Sequence, residues 1–282
     1  MSLVTVKEMM LAAQKDHYAV GAFNVENMEM AQAVIWAAEE LRAPVILQTT
    51  SSTLKYADTD IFFGIVSALA KESAVPVALH LDHGSGFDLC LRAVHSGYTS
   101  VMIDGSHESF EKNIEITKAV ADLGCAAGIP VEAELGKVGG KEDDVSSDGP
   151  GYTDPDEAAE FVNRTGVFSL AIGIGTSHGV YSGPPVLDKE RISRIAEKVS
   201  VPLVLHGTSG VPDDDVRECV RRGMCKVNYA TELRIAFSDG VKRYLAAKPA
   251  VIDPKEYLKA ARECVGDVVR KRIQLCGCVG KA

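Results

Sequence analysis

The stretch PVALHLDHGSGFDLCLRAVHSGYTSVMID (76–104) carries the pattern on which the fold turns. It opens on a near-continuous apolar run behind a proline, PVALHLD (76–82), passes through FDLCLRAVHS (87–96), whose apolar residues recur at helical spacing, and ends in a second short run, SVMID (100–104). Two such runs joined by an amphipathic segment read as parallel strands with a crossover helix, in a sheet buried on both faces. The alternation extends in both directions. YAVGAFNV (18–25) and PVILQTT (44–50) precede it; PVEAEL (130–135), SLAIGIG (169–175), PLVLHG (202–207) and CKVNYA (225–230) follow, giving eight strand-like runs. Helical periodicity fills the intervals, as in NMEMAQAVIWAAEELR (27–42), FEKNIEITKAVADLG (110–124), DPDEAAEFVNRTG (154–166) and DKERISRIAEKVS (188–200). Eight units in 282 residues match a closed (β/α)8 TIM barrel, an α/β fold, forming a single domain over 1–282. An open doubly wound sheet is the alternative. Against it, GIGTSHG (173–179) places His178 at the third glycine position of a dinucleotide fingerprint, and no other such fingerprint occurs.

Composition narrows the function. Hydrophobic residues make up 46% of the chain, enough for a sizeable core, and the formal charge of −9, from 39 acidic and 30 basic residues, would repel a polyanion such as nucleic acid. No apolar run reaches the roughly 18–20 residues of a membrane span, and Met1–Asp16 lacks the pattern of a signal peptide, so a cytoplasmic location is expected. Seven scattered cysteines suit reduced thiols. Cys276 and Cys278 form a tight pair, but two thiols are half of a structural zinc site and no second half follows.

Two stretches depart from the repeat. Gly136–Gly151 is a polar, Gly-rich connection, longer than the usual two to six residues, and reads as a mobile lid. Residues 232–282 carry two helical segments separated by KPAVIDP (248–254), more than one barrel helix requires, and read as a packing or oligomer arm.

Chemistry in such barrels sits where strands end. Six of the eight runs end in, or lead to, residues an apolar core would not choose: Asp82-His83, Asp104, Glu132 and Glu134, His178, His206, and Asn228 with Thr231. Burying a charge costs several kcal/mol unless it is paired or bound to metal. Three histidines from three strands at one rim supply the nitrogen ligands of a catalytic zinc site. His80, two residues before Asp82, faces the same way and reads as an orienting group. Glu132 and Glu134 share a face, and either could serve the metal or a buried ion pair. His17 and His95 read as structural, and His107 as a candidate for a place behind the ligands. Small and hydroxyl residues follow the rim positions: Gly179, then Gly207-Thr208-Ser209, then Asn228-Tyr229-Ala230-Thr231. Their main-chain N–H groups and hydroxyls suit a phosphate, in the loops where this fold commonly binds one.

LDHG (81–84), SVMIDGSH (100–107), VEAELGKVGGKEDD (131–144), GTSHGVY (175–181), LVLHGTSG (203–210) and KVNYATEL (226–233) together resemble, in order and spacing, the zinc-dependent class II ketose-bisphosphate aldolases. The resemblance implies Zn2+ on His83, His178 and His206, with Asp104 and Glu134 near the metal. It also implies dihydroxyacetone phosphate on Gly179, Gly207, Thr208, Ser209, Asn228, Tyr229, Ala230 and Thr231, and a monovalent cation, Na+ or K+, on the carbonyls of the phosphate loops. The implied reaction is retro-aldol cleavage of a phosphorylated ketose. Asp82, adjacent to His83, is placed as the base at the C4 hydroxyl, and Glu142 matches the family residue that exchanges the C3 proton. Schiff-base chemistry would need a desolvated lysine at the rim; Lys226 lies deeper and reads as half of an ion pair. Ala230 stands where fructose-type members commonly carry Asp or Asn, and this favours tagatose 1,6-bisphosphate over fructose 1,6-bisphosphate. A homodimer or homotetramer is expected, and some tagatose-type relatives act with a stabilising subunit. Two other readings stand beside this one: a zinc hydrolase, which would not need the phosphate loop, and a non-catalytic subunit, which would not need Asp82, the three histidines and Glu142.

Overall fold

The computed structural model describes residues 3–142, 145–147, 151–181, 183 and 185–282, with the main chain alone described at 141–142 and 145–147. α1 (Val6–Asp16) leads into β1 (Val20–Asn24), α2 (Met28–Leu41), β2 (Val45–Thr50), α3 (Ser51–Tyr56), α4 (Thr59–Glu72), β3 (Val77–Gly84) and α5 (Phe87–Ser96). β4 (Ser100–Ile103), α6 (Phe110–Ala127), β5 (Val131–Leu135), β6 (Gly139–Glu142), β7 (Val145–Ser147), α7 (Pro155–Thr165), β8 (Ser169–Ile172) and β9 (Ser177–His178) come next. The chain continues through α8 (Lys189–Ala196), β10 (Leu203–Leu205), α9 (Asp213–Arg221), β11 (Met224–Tyr229), α10 (Thr231–Ala247) and α11 (Pro254–Leu275).

Eight strands close into a barrel in the order β1-β11-β10-β8-β5-β4-β3-β2, every neighbouring pair parallel. This is the (β/α)8 barrel that the alternation predicts, and closure excludes the open sheet. Local chemistry sets the helix ends. Asn27 and Ser109 each accept from an amide three residues on, and Asp154 accepts from the Asp156 and Glu157 amides, just past Pro155 at the first helical position. Gly97, Gly128 and Gly166 end α5, α6 and α7 in the left-handed conformation.

The period of two along each strand builds two polar layers inside the barrel. His80, Glu132 and Lys226 form the lower layer, and Asp82, Glu134 and Asn228, each two residues further on, form the upper one; all six are buried. The extra helices pack onto the barrel's flank, where Ala261, Val265, Val269 and Ile273 of α11 are buried. Cys276 and Cys278 are buried free thiols, Cys276 beside the Tyr229 hydroxyl at 3.4 Å and Cys278 against the Pro44 carbonyl.

The Gly136–Gly151 connection contains ordered strands where the sequence suggests only a loop. β6 pairs antiparallel with β7 and parallel with β9, and it places Gly140 opposite His178. Asp143, Asp144 and residues 148–150 of this connection lie outside the described residues. Gly139 and Gly140 read from sequence as a hinge; at Gly140 the structure supplies a different reason. Its φ is +84°, and a Cβ there would lie 2.3 Å from the His178 carbonyl oxygen, so only glycine permits this approach.

Candidate active site

Asp82, His83 and Asp104 come from the ends of β3 and β4. His83 sits at φ +46°, a conformation uncommon for a side-chain-bearing residue, and its carbonyl accepts from Ser51 Oγ at 2.8 Å. Its Nδ1 donates to Asp104 Oδ2 at 2.7 Å. Burial alone would raise the Asp104 carboxyl, but the hydrogen bond and charge of His83, with the Ser106 amide, outweigh it and hold the group below the ordinary carboxylate range.

His206, at the end of β10, is fully buried between two carboxylates. Nε2 donates to Glu132 Oε1 at 3.0 Å, and Nδ1 lies 3.0 Å from Glu134 Oε2. Burial works against a charged imidazole, yet the two carboxylates lift its pKa to about 9. Beneath it, Lys226 Nζ donates to both oxygens of Glu132 at 3.0 and 2.9 Å. Burial would raise the Glu132 carboxyl; Lys226 foremost, with His206 and His80, brings it below the ordinary range. His80 is pushed well below its usual value by burial and by Lys226, so it is neutral, with Nδ1 bonded to Ser100 Oγ at 2.8 Å. Glu132 is thus the member of the carboxylate pair that lies in the ion pair, with Glu134 nearer the rim.

His178 reaches the site by a longer route than its place after the sixth barrel strand suggests. It lies six residues beyond Ile172, in β9, held by β6. His83, His178 and His206 nevertheless offer ring nitrogens within 4.8 Å of one another, and His83, Asp104 and Glu134 form a second such group. Glu134 Oε2 and His206 Nδ1 are buried and near each other without hydrogen-bond geometry, and neither has another hydrogen-bond partner among the described residues. A buried carboxylate oxygen and imidazole nitrogen facing one another in this way fit a divalent cation. Asp104 fixes His83 Nδ1 as a donor and Glu132 fixes His206 Nε2 as a donor, so a metal would take the opposite nitrogen of each ring, at His206 by displacing the proton that the two carboxylates favour.

Asp82 is 1% exposed and held by three amides: Asn24 and Gln48 donate to Oδ2 at 3.0 and 3.1 Å, and Asn228 to Oδ1 at 3.0 Å. Gln48 also donates to Asn24 Oδ1 at 2.8 Å. Sequence reasoning missed Asn24 and Gln48. The signal was there: each is a polar residue within an otherwise apolar strand run, and such residues need a buried partner.

Beside His178 and Asn228 lies a pocket whose walls include Gly179, Gly207–Ser209, Ala230 and Thr231. Tyr181 ties its two glycine loops together, its hydroxyl accepting from the Ser177 amide and donating to the Gly207 carbonyl, both at 2.7 Å. Asn24 and Arg234 also line it, and neither was foreseen there. Tyr229 requires a correction. Strand alternation that turns Asn228 inward turns Tyr229 outward, where its fully buried ring stacks on Phe23 at 5.5 Å and its hydroxyl faces Cys276, away from the pocket. His107 is exposed on the surface and takes no place behind the histidine cluster. Gly105 is demanded by a neighbour, since a Cβ would meet Asn113 Oδ1 at 2.3 Å, and Asn113 holds the Glu134 carbonyl at 3.0 Å. The side chain of Glu142 lies outside the described residues; its main chain pairs with Val145.

A parallel barrel with a histidine cluster, a shielded carboxylate and a pocket lined by glycines and hydroxyls at the C-terminal rim has the makings of a metal-dependent TIM-barrel enzyme. The chain belongs to the class II fructose-bisphosphate aldolase family, whose model matches residues 4–281; it is an aldolase, a carbon–carbon lyase that cleaves a ketose bisphosphate, and zinc dependence is general to the family. It is 47% identical to the D-tagatose-1,6-bisphosphate aldolase subunit GatY of Klebsiella oxytoca across the whole of both chains. Among solved structures, the YdjI aldolase of Escherichia coli K12 superposes with a TM-score of 0.90 at 38% identity, covering 99% of each chain. The fructose-bisphosphate aldolase of Campylobacter jejuni gives 0.83 over 100% of this chain and 97% of that one; at 24% identity this is a likeness of fold.

Proposed function

We propose that the chain cleaves tagatose 1,6-bisphosphate to dihydroxyacetone phosphate and glyceraldehyde 3-phosphate, with zinc held by His83, His178 and His206. The observation that carries the zinc reading is the buried, mutually facing pair of Glu134 Oε2 and His206 Nδ1 within reach of the histidine cluster. Asp104 orients His83, and Glu134 lies beside the metal position as an alternative ligand. Zinc, when bound, supplies the Lewis acid that polarises the C2 carbonyl. Asp82 removes the C4 hydroxyl proton, its carboxylate aimed by Asn24, Gln48 and Asn228, and Glu142 exchanges the proton at C3. The main-chain amides and hydroxyls of Gly179, Gly207–Ser209 and Asn228–Thr231 hold the phosphate of the dihydroxyacetone half, Tyr229 through its main chain alone. Support for tagatose over fructose comes from Ala230 and from the substrate in the name of the Klebsiella relative.

The word subunit in that name favours a homo-oligomer that works with a stabilising partner. A Na+ or K+ ion on the loop carbonyls and a cytoplasmic location complete the reading; among the described residues no helix is long and apolar enough to cross a membrane.

The test is a retro-aldol assay on tagatose and fructose 1,6-bisphosphates with and without chelator. Both triose phosphates should appear, faster from tagatose; chelation should abolish them and Zn2+ restore them. Full activity in a metal-free preparation would sink the zinc reading. A second expected outcome concerns the β6–β9 contact. Gly140→Ala should displace the His178 carbonyl and weaken zinc binding by about 10- to 100-fold, the scale seen when support for a ligand is lost. Gly64→Ala, where nothing lies within 4 Å of the added Cβ, serves as the control. Competition against a chromogenic chelator reads both; equal affinities would show that β9 absorbs the methyl group.

A further inference from the structure

α10 lies outside α11: it packs against α11, which in turn packs against α2 on the barrel's flank. At Gly240 the two helices meet so closely that a Cβ would lie 2.6 Å from Ala261 Cα and 3.1 Å from Cys264 Sγ. α11 buries six of its residues, whereas α10, 17 residues long, buries Leu233 and Gly240 alone. A helix with so narrow a buried stripe is normally polar over the rest of its surface. α10 is not: Ile235 and Leu245 are 47% and 36% exposed.

At about 100° per residue, Ile235, Ser238, Asp239, Lys242 and Leu245 form one stripe on the side opposite Leu233 and Gly240. Its ends are apolar and its middle carries one acid and one base. Asp239 and Lys242 are exposed, and among the described residues neither joins an ion pair. Laid antiparallel on a second copy, about a two-fold axis near Gly240 and Val241, the stripe answers itself. Ile235 then meets the second copy's Leu245 and Asp239 meets its Lys242, each pair occurring twice. A foreign partner has no need of that pattern. Beside the stripe, a groove of about 520 Å³ with Ala236, Cys264 and Val268 in its walls lies open between α10 and α11. It widens the contact beyond one helix face, as the roughly 800 Å² per partner of a stable interface requires.

We infer that a second copy of the chain docks antiparallel on the outer face of α10, with Asp239 and Lys242 setting its register. The inference rests on the homo-oligomer reading above and gives it a surface. Two chains of net charge −9 repel one another, and opposite charges meeting at the axis offset that repulsion where the copies touch. The contact also reaches toward the active site: α10 starts at Thr231, which lines the pocket beside Asn228, so the helix that the second copy covers carries part of the pocket wall.

The experiment is sedimentation velocity on the full chain over a range of concentrations at low ionic strength, where exposed charges are least screened. Asp239→Lys and Lys242→Asp each set like charges against one another on both sides of the axis. Each should weaken association by about 10- to 100-fold, dissociating the assembly at this contact, to monomer from a dimer or to dimer from a tetramer. An equimolar mixture of the two variants should reassociate, because one copy then presents only lysines and the other only aspartates at the facing positions. Reassociation also shows that both variants are folded. If either variant alone associates as tightly as the parent, or the mixture stays dissociated, the inference is overturned. A failure of the homo-oligomer reading looks different: the unsubstituted protein would then be a monomer at every concentration.

Discussion

Asp82→Ala is expected to keep its zinc and lose carbon–carbon cleavage by about 10²–10⁴-fold, the usual scale for removal of a general base. The expectation follows from the division of labour in the upper polar layer. The candidate metal nitrogens belong to His83, His178 and His206, whereas Asp82 receives hydrogen bonds from three amides, and its nearest approach to the cluster is 4.0 Å, to His83 Nε2. Three neutral amides orient a carboxylate without supplying a countercharge, an arrangement suited to a group that must take up a proton. Tritium exchange at C3 of dihydroxyacetone phosphate needs no C4 chemistry and should be largely spared in Asp82→Ala, while Glu142→Gln should show the reverse. If Asp82→Ala instead loses its metal and turns over normally when zinc is resupplied, Asp82 belongs to the ligand shell and the assignment fails. Gln48→Leu removes one donor and leaves the carboxylate, so a fall in kcat with zinc content and KM unchanged would identify aim, and not mere presence, as what the amides contribute.

The barrel was legible because its signals are local. Proline-led apolar runs, amphipathic intervals and glycine stops are written within each unit, and closure follows from their number. The rim residues were legible for a related reason: His83, Asp104, Glu134 and His206 interrupt apolar runs or stand at their ends, where polarity costs most. What stayed hidden depended on contacts between distant segments. The placement of His178 depends on β6, whose glycine makes room for the His178 carbonyl across 38 residues of chain. Tyr229 stands in sequence among small and hydroxyl residues that suit a phosphate, but the alternation that turns Asn228 inward turns its ring outward. Asn24 and Gln48 stand in strand runs of their own, and the carboxylate that explains their burial, Asp82, comes from a third strand. Arg234 reads as an ordinary helix residue until Glu26, 208 residues away, is seen to hold it.

Lys226→Met is expected to be the most destabilising single change in the site. Lys226 is fully buried with its ammonium on both oxygens of Glu132, which is 2% exposed. Removing one partner of a buried pair leaves an uncompensated charge and costs about 3–5 kcal/mol, which lowers Tm by roughly 6–20 °C in a protein of this size. The sign of the pH dependence follows from the same pair. In the parent, Glu132 ionises below its ordinary range, so its contribution is present at neutral pH; without Lys226, burial raises its pKa, and the deficit should shrink toward acid pH as the carboxylate is neutralised. Loss of stability alone would not show what the pair does for catalysis, and Lys226→Met with Glu132→Leu separates the two roles. The double variant removes both charges and should regain most of the stability. It also deprives His206 Nε2 of the acceptor that fixes its tautomer, so zinc affinity should stay about 10- to 100-fold below the parent even as Tm recovers. Thermal denaturation and chelator competition on the same preparations give both quantities. Recovery of zinc affinity together with Tm would mean that the lower layer only fills the barrel; recovery of Tm alone would mean that Glu132 holds His206 in the state a metal requires, and that Lys226 keeps Glu132 charged so that it can.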